Sequence, residues 1–403
     1  MVDPPPRDDA SASPWAELWP LDQSVAYLNH GSFGACPRAI LERQAALRLE
    51  LEREPVDFLV RELPGRLAAA REALAGFIGA DAADLAFVPN ATTAVSTVLR
   101  SLSFGRGDEL LTTDHTYAAC RKAAEFVTTR TGACVVTARV PFPLGTEDQI
   151  VEAVLAAVTK HTRLALLDHV TSSTGLLFPI ERLVRGLAER GVESLVDGAH
   201  ALGMVPLELA PLGAAYYTAN AHKWLCAPKG SAFLFVRRDL QQGLHPLAIS
   251  HGYDPERAAG AFRAEFDWVG TADPTPWLVI PECIAFLGGL LPGAWPELMA
   301  RNRALALRAR TILCDAMALA PPCPESMLGA LASVPLPAAA PGSPVEGLDH
   351  EALMNWFRRR GIETWFFPAA SGTKLIRVSA QLYNYEAQYR ALALMLGEAM
   401  RGQ

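Results

Sequence analysis

No stretch of the 403-residue chain approaches the ~18–20 uninterrupted apolar residues of a bilayer-spanning helix, so no transmembrane segment is expected. The opening residues, Met1 to Pro14, lack the apolar run of a signal peptide and are rich in Pro, Asp and Ser. They read as a disordered lead-in to a cytoplasmic protein. The seven cysteines (Cys36, Cys120, Cys134, Cys226, Cys283, Cys314, Cys323) contain no C-x-x-C pair. Their odd number and scatter argue against a disulfide scaffold, a structural zinc or any other metal site, and reduced thiols mostly packed in the core are expected. No basic cluster stands out either. A net charge of −7 gives no electrostatic reason for nucleic acid or an anionic membrane as partner. No internal repeat is found.

What is present is a large core. Half the residues are apolar and a fifth charged, and the length implies two or three domains. From about residue 65 to 240 helical and strand signals alternate, the mark of an α/β sheet with crossover helices. Strands are expected at Leu85–Val88, Glu109–Thr112, Ala133–Val140, Leu164–Leu167, Ser194–Val196, Tyr216–Tyr217 and Ala232–Val236. Their continuous apolar character suits a mostly parallel sheet covered on both faces. A smaller α+β unit follows: helical from Pro281 to Leu319, Pro-rich and irregular from Pro321 to Pro344, then helix, two strands and a last helix to Met400.

In open α/β sheets ligands bind at the carboxyl ends of the strands. The residues just after the expected strands are Asn90-Ala91-Thr92-Thr93, Asp114-His115-Thr116-Tyr117, Asp168-His169-Val170-Thr171-Ser172, Asp197-Gly198-Ala199-His200 and Asn220-Ala221-His222-Lys223. A single Asp after a strand is usually a turn or an N-cap. Five polar clusters converging on one edge point instead to a site.

Asp197-Gly198-Ala199-His200 together with His222-Lys223-Trp224 resembles the signature of the class V aminotransferase family, whose members share fold type I of the pyridoxal-phosphate enzymes. Asn29-His30-Gly31-Ser32-Phe33-Gly34 and Glu54-Pro55-Val56-Asp57-Phe58-Leu59-Val60-Arg61 resemble its isopenicillin N epimerase-like branch. The similarity runs from about residue 25 to the C-terminus. It implies a large domain with a seven-stranded, mostly parallel sheet and a smaller α+β C-terminal domain. The expected boundaries are a disordered lead over 1–14, an N-terminal segment packing on the small domain over 15–40, a large cofactor-binding domain over 41–275 and a small domain over 276–403.

The resemblance also implies roles. Pyridoxal phosphate is an electron sink that needs an imine-forming amine and a protonated ring nitrogen. Lys223, set among Ala221, Trp224 and Leu225, is the expected Schiff-base lysine; Lys229, between Pro228 and Gly230, fits a loop. Asp197 would pair with the ring nitrogen and favour its protonated form. His200 and Ser172 match positions that contact the cofactor's phenolic oxygen. Thr92 and Thr93, at a helix mouth, are the expected phosphate ligands. His222 resembles a second phosphate ligand, and Asn220 stands where many relatives carry Ser. Gly270-Thr271 resembles a loop that reaches a partner's phosphate, which implies a homodimer. Tyr117 is favoured for stacking on the ring and for proton transfer, with His115, the stacking position of cysteine desulfurases, as the alternative. Arg377 matches the arginine that clamps the substrate carboxylate, a task suited to a bidentate fork; Asn29 and Ser32 join it as candidate substrate contacts, and Arg61 is the next candidate.

Lysine and cofactor establish imine chemistry, not its outcome. The main expectation is an amino-acid epimerase or racemase, with Lys223 as base on one face and Tyr117 or His115 as acid on the other. The alternative is a C–S lyase on a cysteine-derived substrate. Cysteine desulfurase is disfavoured because Pro368-Ala369-Ala370-Ser371-Gly372, ahead of Arg377, contains no cysteine and Cys323 lies far upstream. Transamination is less expected still. A regulatory cofactor-binding module is a non-enzymatic alternative, but it has no need of Arg377.

Overall fold

The computed structural model describes residues 12–254, 256, 261–368 and 373–401. Most of the expected N-terminal lead, and the stretch 369–372 ahead of Arg377, lie outside them.

After the short strand β1 (Ala26–Tyr27), the chain forms a single helical turn, α1 (His30–Phe33), and the long helices α2 (Arg38–Arg53) and α3 (Leu63–Ile78). Helix α2 runs through the boundary expected at 40/41. The central sheet is then laid down by β2 (Leu85–Val88), β3 (Glu109–Thr113), β4 (Cys134–Ala138), β5 (Thr162–Asp168), β6 (Glu193–Asp197), β7 (Tyr216–Asn220) and β8 (Ala232–Val236). Their order is β2-β8-β7-β6-β5-β3-β4, and β8 alone runs against the rest. Helix α4 (Ala91–Ser101) follows β2 and helix α5 (Ala118–Thr131) follows β3. Core strands such as β5 and β6 are buried on both faces, which is why they read as unbroken apolar runs rather than alternating ones.

The remaining strands make two small sheets. β9 (Leu331–Pro335), β11 (Trp365–Pro368) and β12 (Lys374–Ser379) form an antiparallel sheet in the order β11-β12-β9, and β10 (Ile362–Glu363) pairs with β1. Strand β9 lies inside the stretch expected to be irregular. Its apolar core, Leu331 to Val334, is buried against β12, and Pro335 closes its end, where the missing N–H costs least.

The N-terminal segment is tied to this small unit and to the central sheet at once. Ala26 and Leu28 N–H donate to the Gly361 and Glu363 carbonyls at 2.8 Å, and Ser379 N–H donates to Leu28 O at 2.8 Å. Gly34, at φ +70°, then passes against the segment after β7; a Cβ there would overlap the His222 carbonyl and come within 2.9 Å of Lys223 Cα. Gly203, at φ +82°, approaches the Trp224 carbonyl carbon from another side, where a Cβ would lie 2.7 Å away. Only a residue without Cβ meets both the positive φ and the contact distance.

Gly34→Ala should therefore destabilise the fold by roughly 1–3 kcal/mol. The measurement is denaturant unfolding with an unchanged m-value; a loss within error of zero would refute the tight approach.

Candidate active site

Because β5, β6 and β7 are parallel neighbours, their carboxyl ends place Asp168, Asp197 and Asn220 side by side; Asp168 and Asp197 are register partners. Both carboxyl groups are buried. Asp197 Oδ1 accepts the Ala199 N–H at 2.9 Å and Oδ2 the Cys120 S–H at 3.2 Å. Burial pushes its pKa up, opposed by those two donors and by Lys223. Asp168 is pushed well above the carboxylate range by burial and by the adjacent Asp197. Its Oδ1 accepts the Tyr117 N–H at 3.4 Å, and its buried Oδ2 has no partner. Two like charges on adjacent strand ends do not both ionise, so Asp168 holds the proton and Asp197 the charge.

Lys223 faces these carboxyl groups from the turn after β7. Its Nζ lies 3.1 Å from His200 Nε2, while the Trp224 indole N–H points at His200 Nδ1 from 3.4 Å. Indole can only donate, so Nδ1 of neutral His200 is an acceptor and its proton sits on Nε2, beside the lysine amine. Burial, followed by the Arg377 charge, lowers Lys223 to about 8, with Asp197 pulling the other way. Burial and then Lys223 hold His200 well below the usual histidine range. The Lys223 carbonyl accepts from His30 Nε2 at 3.0 Å, and His30 Nδ1 meets the Tyr383 hydroxyl at 2.8 Å. Burial lowers His30 to about 3, so the ring is a neutral bracket between the small unit and the lysine peptide.

Arg377, in β12, is 2 % exposed, yet it forms no ion pair among the described residues. Its Nη1 donates to Ser172 O at 2.6 Å and Ser172 Oγ at 3.3 Å; Nη2 donates to Ser32 Oγ at 2.8 Å and Asn29 Oδ1 at 3.2 Å. The Phe367 ring lies 4.9 Å from its guanidinium carbon. Burial lowers Arg377 to about 10. A buried guanidinium held by neutral groups alone is an anion site awaiting its anion.

At the mouth of α4, Asn90 Oδ1 caps Thr93 N–H and Asn220 Oδ1 takes Ala91 N–H, both at 2.8 Å. Asn220 therefore shapes the helix mouth. The Thr92 N–H, in the first turn, has no intrahelical acceptor, so it and the two threonine hydroxyls are free for an anion. His222 gives its Nδ1 proton to Ser231 O at 2.9 Å, which leaves Nε2 open; burial lowers the ring to about 4.

Three expectations need correction. His115 does not face the cleft: Nδ1 meets Thr174 Oγ1 at 2.8 Å, Nε2 meets Val140 O at 3.0 Å, and Phe142 and Phe178 flank it. Both nitrogens are engaged, so it has none free to move a proton in the cleft, and the ring is buried among phenylalanines. Tyr117 is the residue left at the opening, 44 % exposed, its hydroxyl raised by burial and by the nearby Cys120 and Asp197. Ser172 sits on Arg377, which donates to its carbonyl and hydroxyl. Arg61 is exposed and paired with Asp57 at 2.8 Å, outside the cleft of this chain. Thr271 is likewise exposed on its loop.

Asp168, Cys120, His30 and Tyr383 belong to the site although sequence reasoning gave them no role in it. The matched Leu-Leu-Asp and Leu-Val-Asp endings of β5 and β6 carried a signal for Asp168; nothing in the sequence marked Cys120.

A model of the family described as aminotransferase class-V matches residues 59–257. The chain is 39 % identical over 405 residues to an isopenicillin N epimerase of Amycolatopsis lactamdurans, covering 96 % of this chain and 99 % of that one. It is 33 % identical to a putative L-cysteine desulfhydrase of Oryza sativa subsp. japonica, over 80 % of this chain and 69 % of that one. Among solved structures, a cystine C–S lyase in complex with cysteine persulfide superposes with a TM-score of 0.78 at 20 % identity, over 94 % of this chain and 99 % of that one.

In the cofactor-free protein the Lys223 amine should titrate near pH 8, read from the pH dependence of its acylation by peptide mapping. Arg377→Gln removes a neighbouring cation and should move the midpoint up. Asp197→Asn removes an anion and should move it down. A wild-type midpoint in the ordinary lysine range, ~10.4, would refute the lowered basicity.

Proposed function

The chain belongs to the class V aminotransferase family of pyridoxal-phosphate enzymes, and we propose that it inverts an amino-acid substrate at Cα as an epimerase or racemase. The residues present fit the cofactor. One cleft holds a buried lysine amine of lowered basicity, two buried carboxyl groups on adjacent strand ends, an anion-ready helix mouth and a buried guanidinium without a counter-ion among the described residues. When bound, pyridoxal phosphate takes up the substrate amine and withdraws the electron pair left at Cα.

The protein's part follows from its own groups. Lys223 holds the cofactor and, once released, takes the Cα proton on its face, a role its lowered pKa permits. Asp197, kept anionic by the proton on Asp168, pairs with the ring nitrogen. His200 lies against the lysine amine and orients the phenolic-oxygen side. Thr92, Thr93 and His222 hold the phosphate, with Asn220 fixing the helix mouth. Tyr117 covers the ring and returns a proton on the face opposite Lys223. Arg377, positioned by Asn29, Ser32 and Ser172, clamps the substrate carboxylate. The unpaired Arg377 near a buried lysine of lowered basicity is the observation that carries the reading, because a binding module would not bear the cost of burying that charge.

We also propose a homodimer in which Thr271 of one protomer reaches the phosphate site of the other. The working units would be a large domain (41–275) and a small one (276–403) bearing the segment 15–40, a division supported by the pairing of β1 with β10. Among the described residues no helix is long and apolar enough to cross a membrane; a cytoplasmic location belongs to the same proposal. The second reading, C–S cleavage, is favoured by the similarity to the rice protein named as a putative L-cysteine desulfhydrase.

Incubation with a panel of L- and D-amino acids in D₂O separates the two. Deuterium at Cα with inversion, read by NMR and chiral chromatography, is expected; pyruvate release without inversion would overturn the epimerase reading. Arg377→Lys should weaken substrate binding by about 1.5–3 kcal/mol, since a point donor cannot reproduce the fork, while cofactor loading persists. Lys223→Ala should lose the borohydride-reducible link to the cofactor.

A further inference from the structure

The start of helix α5 fastens both carboxyl groups at the strand ends. The Tyr117 N–H, at the N-cap, donates to Asp168 Oδ1 at 3.4 Å, and the Cys120 S–H, three residues on, donates to Asp197 Oδ2 at 3.2 Å. With the Ala199 N–H on Oδ1 at 2.9 Å, Asp197 has a donor on each oxygen. Asp168 accepts from the Tyr117 N–H and the Thr116 hydroxyl, yet its buried Oδ2 has no partner. Cys120 is fully buried and stands 77 residues from Asp197 in sequence, so the contact is a product of the fold. Burial, then the Asp197 and Asp168 carboxyl groups, push its thiol well above the usual range, so the sulfur keeps the proton it donates. Its place in the helix leaves that proton uncommitted. Thr128 and Thr131 of α5 donate their hydroxyls to the carbonyls four residues back, Ala124 and Val127. Cys120 is the third helical residue and has no helical carbonyl behind it.

We propose that Cys120 is a positioning residue for Asp197: its S–H aims the carboxylate, favours its charged form, and so governs how fully the ring nitrogen of pyridoxal phosphate is protonated. The proposal rests on reading Asp197 as the partner of that nitrogen. No bond to sulfur forms or breaks, and the thiol proton stays on Cys120; only its hydrogen bond acts. A donor stabilises an acceptor most when the acceptor is ionised. Asp168 and Asp197 are register partners on neighbouring strands, and burial disfavours two charges there. The donors each receives therefore decide which of them is the anion. Without the thiol, Asp197 would keep one donor against two on Asp168. The shared negative charge would move toward Asp168, away from the group that pairs with the ring.

The test begins on the cofactor-free protein, with infrared difference spectroscopy of the S–H stretch. The Cys120 band, identified as the one lost in Cys120→Ala, should move to higher frequency in Asp197→Asn, because an amide is a weaker acceptor than a carboxylate. A band that stays in place would overturn the proposal while leaving the Cα chemistry standing. The consequence is read on the folded holoenzyme, loaded with cofactor isotopically labelled at the ring nitrogen, so that a loss of stability alone cannot mimic it. In Cys120→Ala the nitrogen resonance should move toward the unprotonated form. Cα–H exchange in D₂O, with whichever amino acid of the panel the wild type turns over fastest, should slow about fivefold, the effect of one hydrogen bond of ordinary net strength. Cys120→Ser keeps a donor in the same place and should restore both. Serine and alanine variants impaired alike would reduce Cys120 to packing, and an alanine variant with the wild-type nitrogen signal would remove its influence; either result sinks the proposal. A nitrogen signal that Asp197→Asn leaves unmoved would instead take Asp197 away from the ring, and the proposal with it.

Discussion

A buried lysine whose peptide is fixed and whose basicity is lowered is the constraint on which the site depends. Its peptide is held by chain segments far apart in sequence: His30 bonds its carbonyl, Gly34 lies against its Cα, and Gly203 abuts the next residue. Tyr383, from near the end of the chain, buttresses His30. These contacts cost the chain two positive-φ glycines and a buried neutral histidine. In return the amine cannot swing into water, where it would recover its ordinary basicity. Burial and the Arg377 charge then keep it near neutrality. The N-terminal segment is therefore what fixes the Lys223 peptide, although it adds no strand to the central sheet.

The charges of the cleft make sense only with ligands in mind. Arg377 is a buried cation without an anion, and the first turn of α4 offers unpaired donors. On the other side Asp168 and Asp197 share one negative charge between them. An occupant with two anionic ends and a basic ring nitrogen would answer all three features at once: carboxylate to Arg377, phosphate to the helix mouth, ring nitrogen to Asp197. Such electrostatic incompleteness is costly in an unliganded fold, so it points to function more strongly than the pattern of residues does.

The cleft was legible in the sequence because a parallel sheet delivers the residue after each strand to one edge, and apolar strands followed by Asp, Asn or His are visible without coordinates. The strands of the central sheet were found within one or two residues, except that β7 runs three residues past its expected end. What depended on side-chain direction was not legible. His115 and Tyr117 follow the same strand two residues apart, and only packing against Phe142 and Phe178 turns the histidine away. Ser172 offered a hydroxyl in the right neighbourhood, but its partner lies in β12, more than two hundred residues later. Strand β9 was hidden because the prolines around it read as breakers, although none interrupts Leu331 to Val334. Cys120 had no signal at all, since a buried thiol in a helix is usually packing.

The groups proposed for the Cα chemistry and the proposed carboxylate clamp are built by different parts of the chain, and this bears on the reaction. Lys223, Asp197, Asp168 and His200 come from the central sheet and the turns after it, while Arg377 and its partners Asn29 and Ser32 come from the small unit and the N-terminal segment. Elimination requires only a base on one face and a leaving group at Cβ. A cleft built for it gains nothing from room beyond Cβ, because the side chain departs. Inversion retains the whole side chain and needs a second proton donor at the opening. Tyr117 stands half exposed there, anchored through its backbone N–H to the protonated Asp168. That placement fits proton removal and return at Cα better than cleavage at Cβ.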